Sequence, residues 1–305
     1  MDKVLICGAS GMVGRNLSEA VPSGYKVLLP DKSELNLLDY EQTYNYIRIK
    51  KPDIIIHAAG IVGGIQANIS NPVKFLIENS DIGRNIVWAA HKNQIPNFLN
   101  IGSSCMYPAD AVNPLKEEML LSGKLEPTNE GYAIAKILTQ RLCSYLNSEN
   151  SGYSYKTVIP CNLYGKHDKF DLEFSHMIPA VIRKIHEAKI GNISNVEIWG
   201  DGNARREFMY AGDFAEIVWN LLSDFKKIPE LLNVGLGKDY TINEYYHIIS
   251  KVIGYNSEFY HNLEKPVGMK QKLVDVSKLK NLGIFAKTSL EKGIAETYKY
   301  YLTTL

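Results

Sequence analysis

Val4-Leu5-Ile6-Cys7-Gly8-Ala9-Ser10-Gly11-Met12-Val13-Gly14 decides the fold. The short apolar run reads as a buried strand, and a glycine-rich turn follows it directly and opens a helix. Gly8 allows the tight turn, Gly11 lets backbone approach a pyrophosphate, and Gly14 lets the helix pack close on the strand. The helix start adds unpaired N–H groups and a positive dipole end. A lone GxxGxxG is weak evidence; in this strand–turn–helix setting it predicts a dinucleotide cradle made by Gly8, Ser10, Gly11, Met12, Val13 and Gly14.

The cradle's surroundings extend this reading. The second strand ends Leu29-Pro30-Asp31-Lys32. An acid there serves the adenosine ribose of NAD, whereas a cation serves the 2′-phosphate of NADP. Asp31 and Lys32 are neighbours, so NADP(H) and NAD(H) both stay open: Ser10 and Lys32 can share a 2′-phosphate, or Asp31 can reject it. Leu37 is expected to wall the adenine. Ala58 and Ala59 end the central strand with small side chains that would let the nicotinamide end lie against the sheet.

Apolar runs at Val4–Cys7, Lys26–Leu29, Asp53–Ala58, Asn97–Ile101 and Ser154–Pro160 alternate with stretches of helical spacing. That alternation predicts an α/β fold, a Rossmann-type doubly wound parallel sheet. From about residue 166 the pattern changes, which predicts a smaller α+β substrate lobe. The expected division is 1–165 for the dinucleotide-binding domain, with its sheet completed by 205–240, and 166–204 plus 241–305 for the substrate lobe. Arg206–Tyr210 and Leu231–Val234 read as late strands returning to the sheet, and a loop is expected around Pro266–Gly268.

Composition narrows the function classes. A net charge of +1 over 305 residues gives no global field for nucleic acid or an acidic membrane, so an anionic ligand must be held by local groups. No apolar run reaches the roughly 18 residues that a membrane span needs. Cys7, Cys105, Cys143 and Cys161 are scattered without a CxxC pair, so neither a disulfide framework nor a metal site is expected, and the cytoplasm is the expected compartment.

Tyr132-Ala133-Ile134-Ala135-Lys136 sets Tyr and Lys four apart, on one face of a helix. A neighbouring ammonium favours the ionised phenol, so Lys136 is expected to lower the pKa of Tyr132 toward working pH. Such a Tyr can protonate the alkoxide that forms at a carbonyl as hydride arrives. Ser103 ends a strand upstream and can bond the same oxygen. YxxxK alone is common; with the glycine turn and a strand-end Ser it points to carbonyl reduction.

These residues, with Gly102-Ser103-Ser104-Cys105-Met106-Tyr107-Pro108, Asn162-Leu163-Tyr164-Gly165, Ser175-His176-Met177-Ile178-Pro179-Ala180, Trp199-Gly200 and Arg206-Glu207-Phe208, resemble the extended short-chain dehydrogenase/reductases. Within them the chain is most similar to the GDP-L-fucose synthase family, the GDP-4-keto-6-deoxymannose 3,5-epimerase/4-reductases. The resemblance covers nearly the whole chain. It implies NADPH-dependent reduction of the C4 ketone of a GDP-linked 4-keto-6-deoxy sugar, with prior epimerisation at C3 and C5. It assigns the epimerising acid and base to Cys105 and His176, beside Ser103, Tyr132 and Lys136. It places Ser104, Asn162, Lys184, Trp199, Arg206 and Lys272 on the substrate, and it implies a homodimer formed through the helix of Tyr132 and the one before it. A C4 reductase acting on a GDP-4-keto-6-deoxyheptose, or on a sugar epimerised elsewhere, is the alternative. A dinucleotide sensor without turnover is a remote one, because such proteins tend to lose the Tyr or Lys that this chain keeps.

The sequence also departs from the family. A basic residue commonly precedes the second glycine, where Ser10 stands here. The segment after Leu29 lacks the usual arginine, and Lys184 stands where arginine is common.

Overall fold

The computed structural model describes residues 1–171, 175–256, 258–265 and 267–305. The first half builds β1 (Asp2–Cys7), α1 (Met12–Glu19), β2 (Tyr25–Leu28), α2 (Tyr40–Lys50), β3 (Ile54–His57), α3 (Ile65–Ser70), α4 (Pro72–Lys92), β4 (Asn97–Ile101), α5 (Glu130–Glu149) and β5 (Ser154–Pro160). Then follow β6 (Asn162–Tyr164), α6 (Met177–Ile190), β7 (Asn195–Trp199), β8 (Arg205–Arg206), β9 (Phe208–Tyr210), α7 (Ala211–Leu222) and β10 (Leu231–Val234). The chain ends with β11 (Tyr240–Thr241), α8 (Ile242–Ile253), β12 (Glu258–Asn262), β13 (Gln271–Lys272), α9 (Ser277–Asn281) and α10 (Leu290–Leu302).

The main sheet has the order β10-β5-β4-β3-β1-β2, and its strands are parallel. Both faces are covered, which is why its strands are continuous apolar runs and not alternating ones. Val4, Ile6, Ile54 and Ile56 enter one core with Leu17 of α1 and Phe214, Val218 and Trp219 of α7. Leu5, Cys7, Ile55 and Phe98 enter the opposite core with Ile47 of α2, Ile86 and Val87 of α4, and Cys143 and Leu146 of α5. This is the expected doubly wound Rossmann-type sheet. The strand order reverses beside β1, so the carboxyl ends of β1 and β3 flank a crevice that suits a dinucleotide.

The expected strands fall within a residue or two of the observed ones, but two expectations need correction. Arg206–Tyr210 does not return to the main sheet. Arg205 and Arg206 form the middle of a small sheet with β11 and β13, and Phe208–Tyr210 pairs with β6. Only β10 completes the main sheet, because α7 intervenes and carries the chain back across its face.

The second correction concerns 241–305, which does not lie wholly in the smaller lobe. Val274 bridges Leu115, α9 packs on β10, and the segment through Ala286 packs on the first core. The smaller lobe gathers α6, α8, α10, β7 and β9 around its own core of Ile178, Ile182, Ile198, Phe208, Tyr245 and Ile249. Gly268 of the expected loop is described, with a φ of 69°, and Pro266 lies outside the described residues. Among the described residues, no helix is long and apolar enough to cross a membrane.

Candidate active site

The glycine turn has the geometry its sequence predicts. Gly8 has a φ of 81°, in the left-handed region where side chains are strained, and a Cβ there would sit 2.7 Å from Ala59 Cα. A Cβ at Gly14 would lie 2.2 Å from the Gly8 carbonyl oxygen, so any side chain would push α1 off the turn. Gly11 caps α1 without a side-chain hydrogen bond, and no acidic residue stands in the first turn. Met12 and Val13 pack their side chains on the core, leaving backbone N–H groups for an anion. These residues fit a dinucleotide pyrophosphate.

Ala58 and Ala59 stand half-buried at the end of β3, and Ala58 N–H donates to the Cys7 carbonyl at 3.0 Å. Leu37 is buried in the core, and its carbonyl accepts Asn85 Nδ2 at 2.9 Å. Lys32 is exposed at the loop tip. Asn79, which sequence reasoning did not assign, pins the turn after β3: its Oδ1 accepts Ile61 N–H at 2.8 Å, and its Nδ2 donates to the Ile61 and Phe75 carbonyls.

Ser103, Tyr132 and Lys136 are brought together. Ser103 ends the loop from β4 and starts a 3₁₀ turn, and its Oγ accepts Cys105 N–H at 3.2 Å. Ser104 is buried inside that turn. Tyr132 lies in the first turn of α5, packed edge-on to Phe75 at 6.4 Å, with Cys105 against the same small cluster. Lys136 follows one helical turn on, 5.9 Å from the Tyr132 ring centre, and is buried. Its Nζ donates to the Ile101 carbonyl at 3.0 Å and reaches the turn at Gly60.

The expected lowering of the Tyr132 pKa is not observed. Burial pushes the phenol well above its ordinary range, a negative charge on Cys105 would push the same way, and the Ser103 hydrogen bond opposes only part of this. Burial raises the phenol and also pulls Lys136 down to about 8, so both groups are disfavoured in their charged forms. A phenol that stays protonated is a proton donor, the form that reduction requires. Beneath the pair, His57 is buried and pulled down to about 3, by burial first and the charge of Lys136 second.

Cys105 is half-buried and free. Two donors converge on its sulfur: Asn129 Nδ2 at 3.2 Å and Lys272 Nζ at 3.7 Å. Asn129 was not assigned from sequence, although it directly precedes α5 and stands about one helical turn before Tyr132. Its Oδ1 is buried, without a partner among the described residues. Lys272, expected on a pyrophosphate, is instead buried against Cys105, because β13 pairs with β8 and sets Lys272 beside Arg206. Arg206 is half-buried, and its Nη2 donates to the Val267 carbonyl at 3.1 Å. Sequence reasoning missed this brace: Glu207 is fully buried, and its carboxylate takes the N–H groups of Leu236, Gly237 and Val274.

The remaining candidates are more dispersed. His176 caps α6 and stands half-buried near Lys169; burial, then the Lys169 charge, lowers its pKa and leaves a neutral imidazole. Among the described residues no hydrogen bond or ion pair joins it to Cys105 or Tyr132. Asn162 Nδ2 donates to the Glu207 carbonyl at 3.0 Å, tying β6 to the Arg206 strand. Lys184 Nζ donates to the Glu197 carbonyl at 2.9 Å and lies over the Tyr246 ring, so it braces the smaller lobe. Trp199 is exposed, with its Nε1 on Glu197 Oε2 at 3.0 Å and Lys265 over its ring at 5.3 Å.

The profile of the NAD dependent epimerase/dehydratase family matches residues 4–235. The chain is 54% identical to the GDP-L-colitose synthase of Yersinia pseudotuberculosis, an alignment covering 98% of each chain. It is 47% identical to the GDP-L-fucose synthase of Azorhizobium caulinodans, over 99% of this chain and 96% of that one. Among solved structures, MlghC, a GDP-mannoheptose C4 reductase from Campylobacter jejuni with NADP bound, superposes with a TM-score of 0.89 at 29% identity. That match covers 99% of this chain and 98% of MlghC.

Proposed function

Because this chain belongs to the NAD dependent epimerase/dehydratase family, we propose that it reduces the C4 ketone of a GDP-linked 4-keto-6-deoxy sugar with NADPH, after epimerising the carbons beside that ketone. The observation that carries the reading is the meeting of Ser103, Tyr132 and Lys136 with Cys105 at the carboxyl end of the sheet. The names of the relatives support the substrate class: GDP-L-colitose and GDP-L-fucose synthases at 54% and 47% identity. Ketone and dinucleotide suit one site because a hydride donated to C4 must be matched by a proton at its oxygen.

NADPH supplies the hydride when bound. The chain does the rest. Tyr132 donates its proton to the C4 oxygen, and Ser103 holds that oxygen. Lys136 holds the cofactor ribose and keeps a positive charge beside the phenol. The same carbonyl acidifies the hydrogens on its neighbours, so Cys105 and His176 share the acid and base roles that invert them. The neutral imidazole of His176 is the form that accepts a proton. Arg206 provides positive charge next to a GDP pyrophosphate, while Lys272 reaches Cys105 and orients its sulfur.

A charged Lys136 implies a pH dependence. Its ammonium is present below pH about 8 and lost above it. We therefore expect kcat/KM to fall as pH rises through about 8, since kcat/KM reports the groups of the free enzyme. Lys136→Arg keeps its charge and is expected to flatten that fall. A wild-type profile still level near pH 10 would show that the charge is not used.

A C4 reductase of a GDP-6-deoxyheptose is the second reading, and the likeness to MlghC favours it. A non-catalytic sensor is disfavoured by the intact Tyr132 and Lys136. We also propose a homodimer through α4 and α5, because Trp88, Ile134, Leu138 and Tyr145 leave apolar surface exposed there. The four unpaired cysteines suit a reducing cytoplasm. The test of the reaction is a side-by-side turnover screen of GDP-4-keto-6-deoxyhexoses and GDP-4-keto-6-deoxyheptoses with NADPH and NADH. Consumption of NADPH with a deoxyhexose supports the main reading, and turnover of the heptose alone would replace it with the second.

A further inference from the structure

We propose that Arg15 selects the phosphorylated cofactor, by binding the 2′-phosphate of NADPH in place of the arginines this chain lacks. The inference rests on the ketoreductase reading only for its choice of cofactor.

The topology brings the relevant loops together. β1 and β2 are parallel neighbours, with Leu5 opposite Leu28, so the glycine turn and the loop after Leu28 emerge side by side, about one strand spacing apart. The adenosine ribose of a dinucleotide lies over these two loop ends. The acid that could claim a ribose hydroxyl is Asp31, and its own loop already engages one of its two carboxylate oxygens. Asp31 Oδ1 accepts Ser33 N–H at 2.8 Å, Ser33 Oγ at 2.6 Å and Glu34 N–H at 3.0 Å. These bonds, the Ser33 hydroxyl first, hold the carboxyl below its usual range. Glu34, the other acid here, takes Asp31 N–H at 3.3 Å.

The cation comes from the helix. Arg15 lies in the first turn of α1, and its Nε donates to the Ser10 carbonyl at 3.1 Å. This bond folds the side chain back over the turn, to the position where Ser10 itself offers no charge. Arg15 is exposed, and among the described residues it forms no ion pair, so both Nη groups are free for a ligand. A guanidinium with a free fork binds a phosphate in two parallel hydrogen bonds. Lys32, exposed at the tip of the adjacent loop, adds a point charge from the other side.

The test is a binding titration of the wild type, Arg15→Ala and Arg15→Lys with NADPH and NADH separately, followed by calorimetry without sugar substrate. The wild type is expected to prefer NADPH. Arg15→Ala is expected to lose about tenfold or more in NADPH affinity while its NADH affinity stays within about twofold, and Arg15→Lys to fall between. Unchanged NADH binding also shows that the fold is intact. Equal loss for both cofactors, no loss for either, or a wild type without NADPH preference would overturn the proposal. The titration needs no turnover, so Arg15 can fail while the wild type still reduces a GDP-4-keto sugar. Equally, that reduction can fail while Arg15 still discriminates.

Discussion

Tyr132→Phe is expected to lower the rate of ketone reduction by roughly a thousandfold, within the range that a positioned acid contributes. The hydroxyl it removes stands beside Ser103 and one helical turn from Lys136. Nothing among the described residues stands ready to replace it. Lys136 donates to the Ile101 carbonyl, and the Ser103 hydroxyl, whose Oγ accepts Cys105 N–H, is a weaker acid than a phenol. The ring itself stays, so its edge-on contact with Phe75 is kept and cofactor affinity is expected to change by less than about twofold. Single-turnover oxidation of NADPH measures the loss. A fall of less than tenfold would move the proton donor elsewhere in the site.

Cys105→Ala is expected to separate the two reactions. Asn129 and Lys272 both donate to the sulfur, an arrangement that orients it without involving the phenol's own proton. Removing the sulfur is expected to slow exchange of the C3 and C5 hydrogens with solvent deuterium by roughly a hundredfold or more. Reduction of a ketone that already has the product configuration should stay within about threefold. Parallel loss of both reactions would make Cys105 a packing residue of the Tyr132 cluster and not a proton carrier.

Much of this was legible from sequence, for identifiable reasons. The main sheet announces itself because its inner strands β1 and β3 are buried on both faces, and such strands have no polar alternation to blur them. The glycine turn is equally plain, since no side chain can stand at Gly8 or Gly14. Tyr132 and Lys136 are one helical turn apart, so their proximity is local. What could not be read depends on distant pairing. Lys272 reaches Cys105 only because β13 pairs with β8, across 167 positions of chain. Arg206–Tyr210 reads as one strand but splits into two short ones, paired in two different small sheets. The rise in the Tyr132 pKa was missed for another reason. A neighbouring cation is visible in sequence, whereas the burial that raises the phenol is a property of the packed fold.

The central claim is that one site exchanges protons beside a C4 ketone and then reduces it. Running the wild type in deuterium oxide with unlabelled NADPH and a GDP-4-keto-6-deoxy sugar, and locating the label in the product by NMR, tests it most directly. The account predicts solvent deuterium on the epimerised ring carbons and none at C4, where the hydrogen comes from NADPH. A reduced product without label on those carbons would leave a C4 reductase alone, and solvent deuterium bound to C4 would contradict hydride transfer from the dinucleotide.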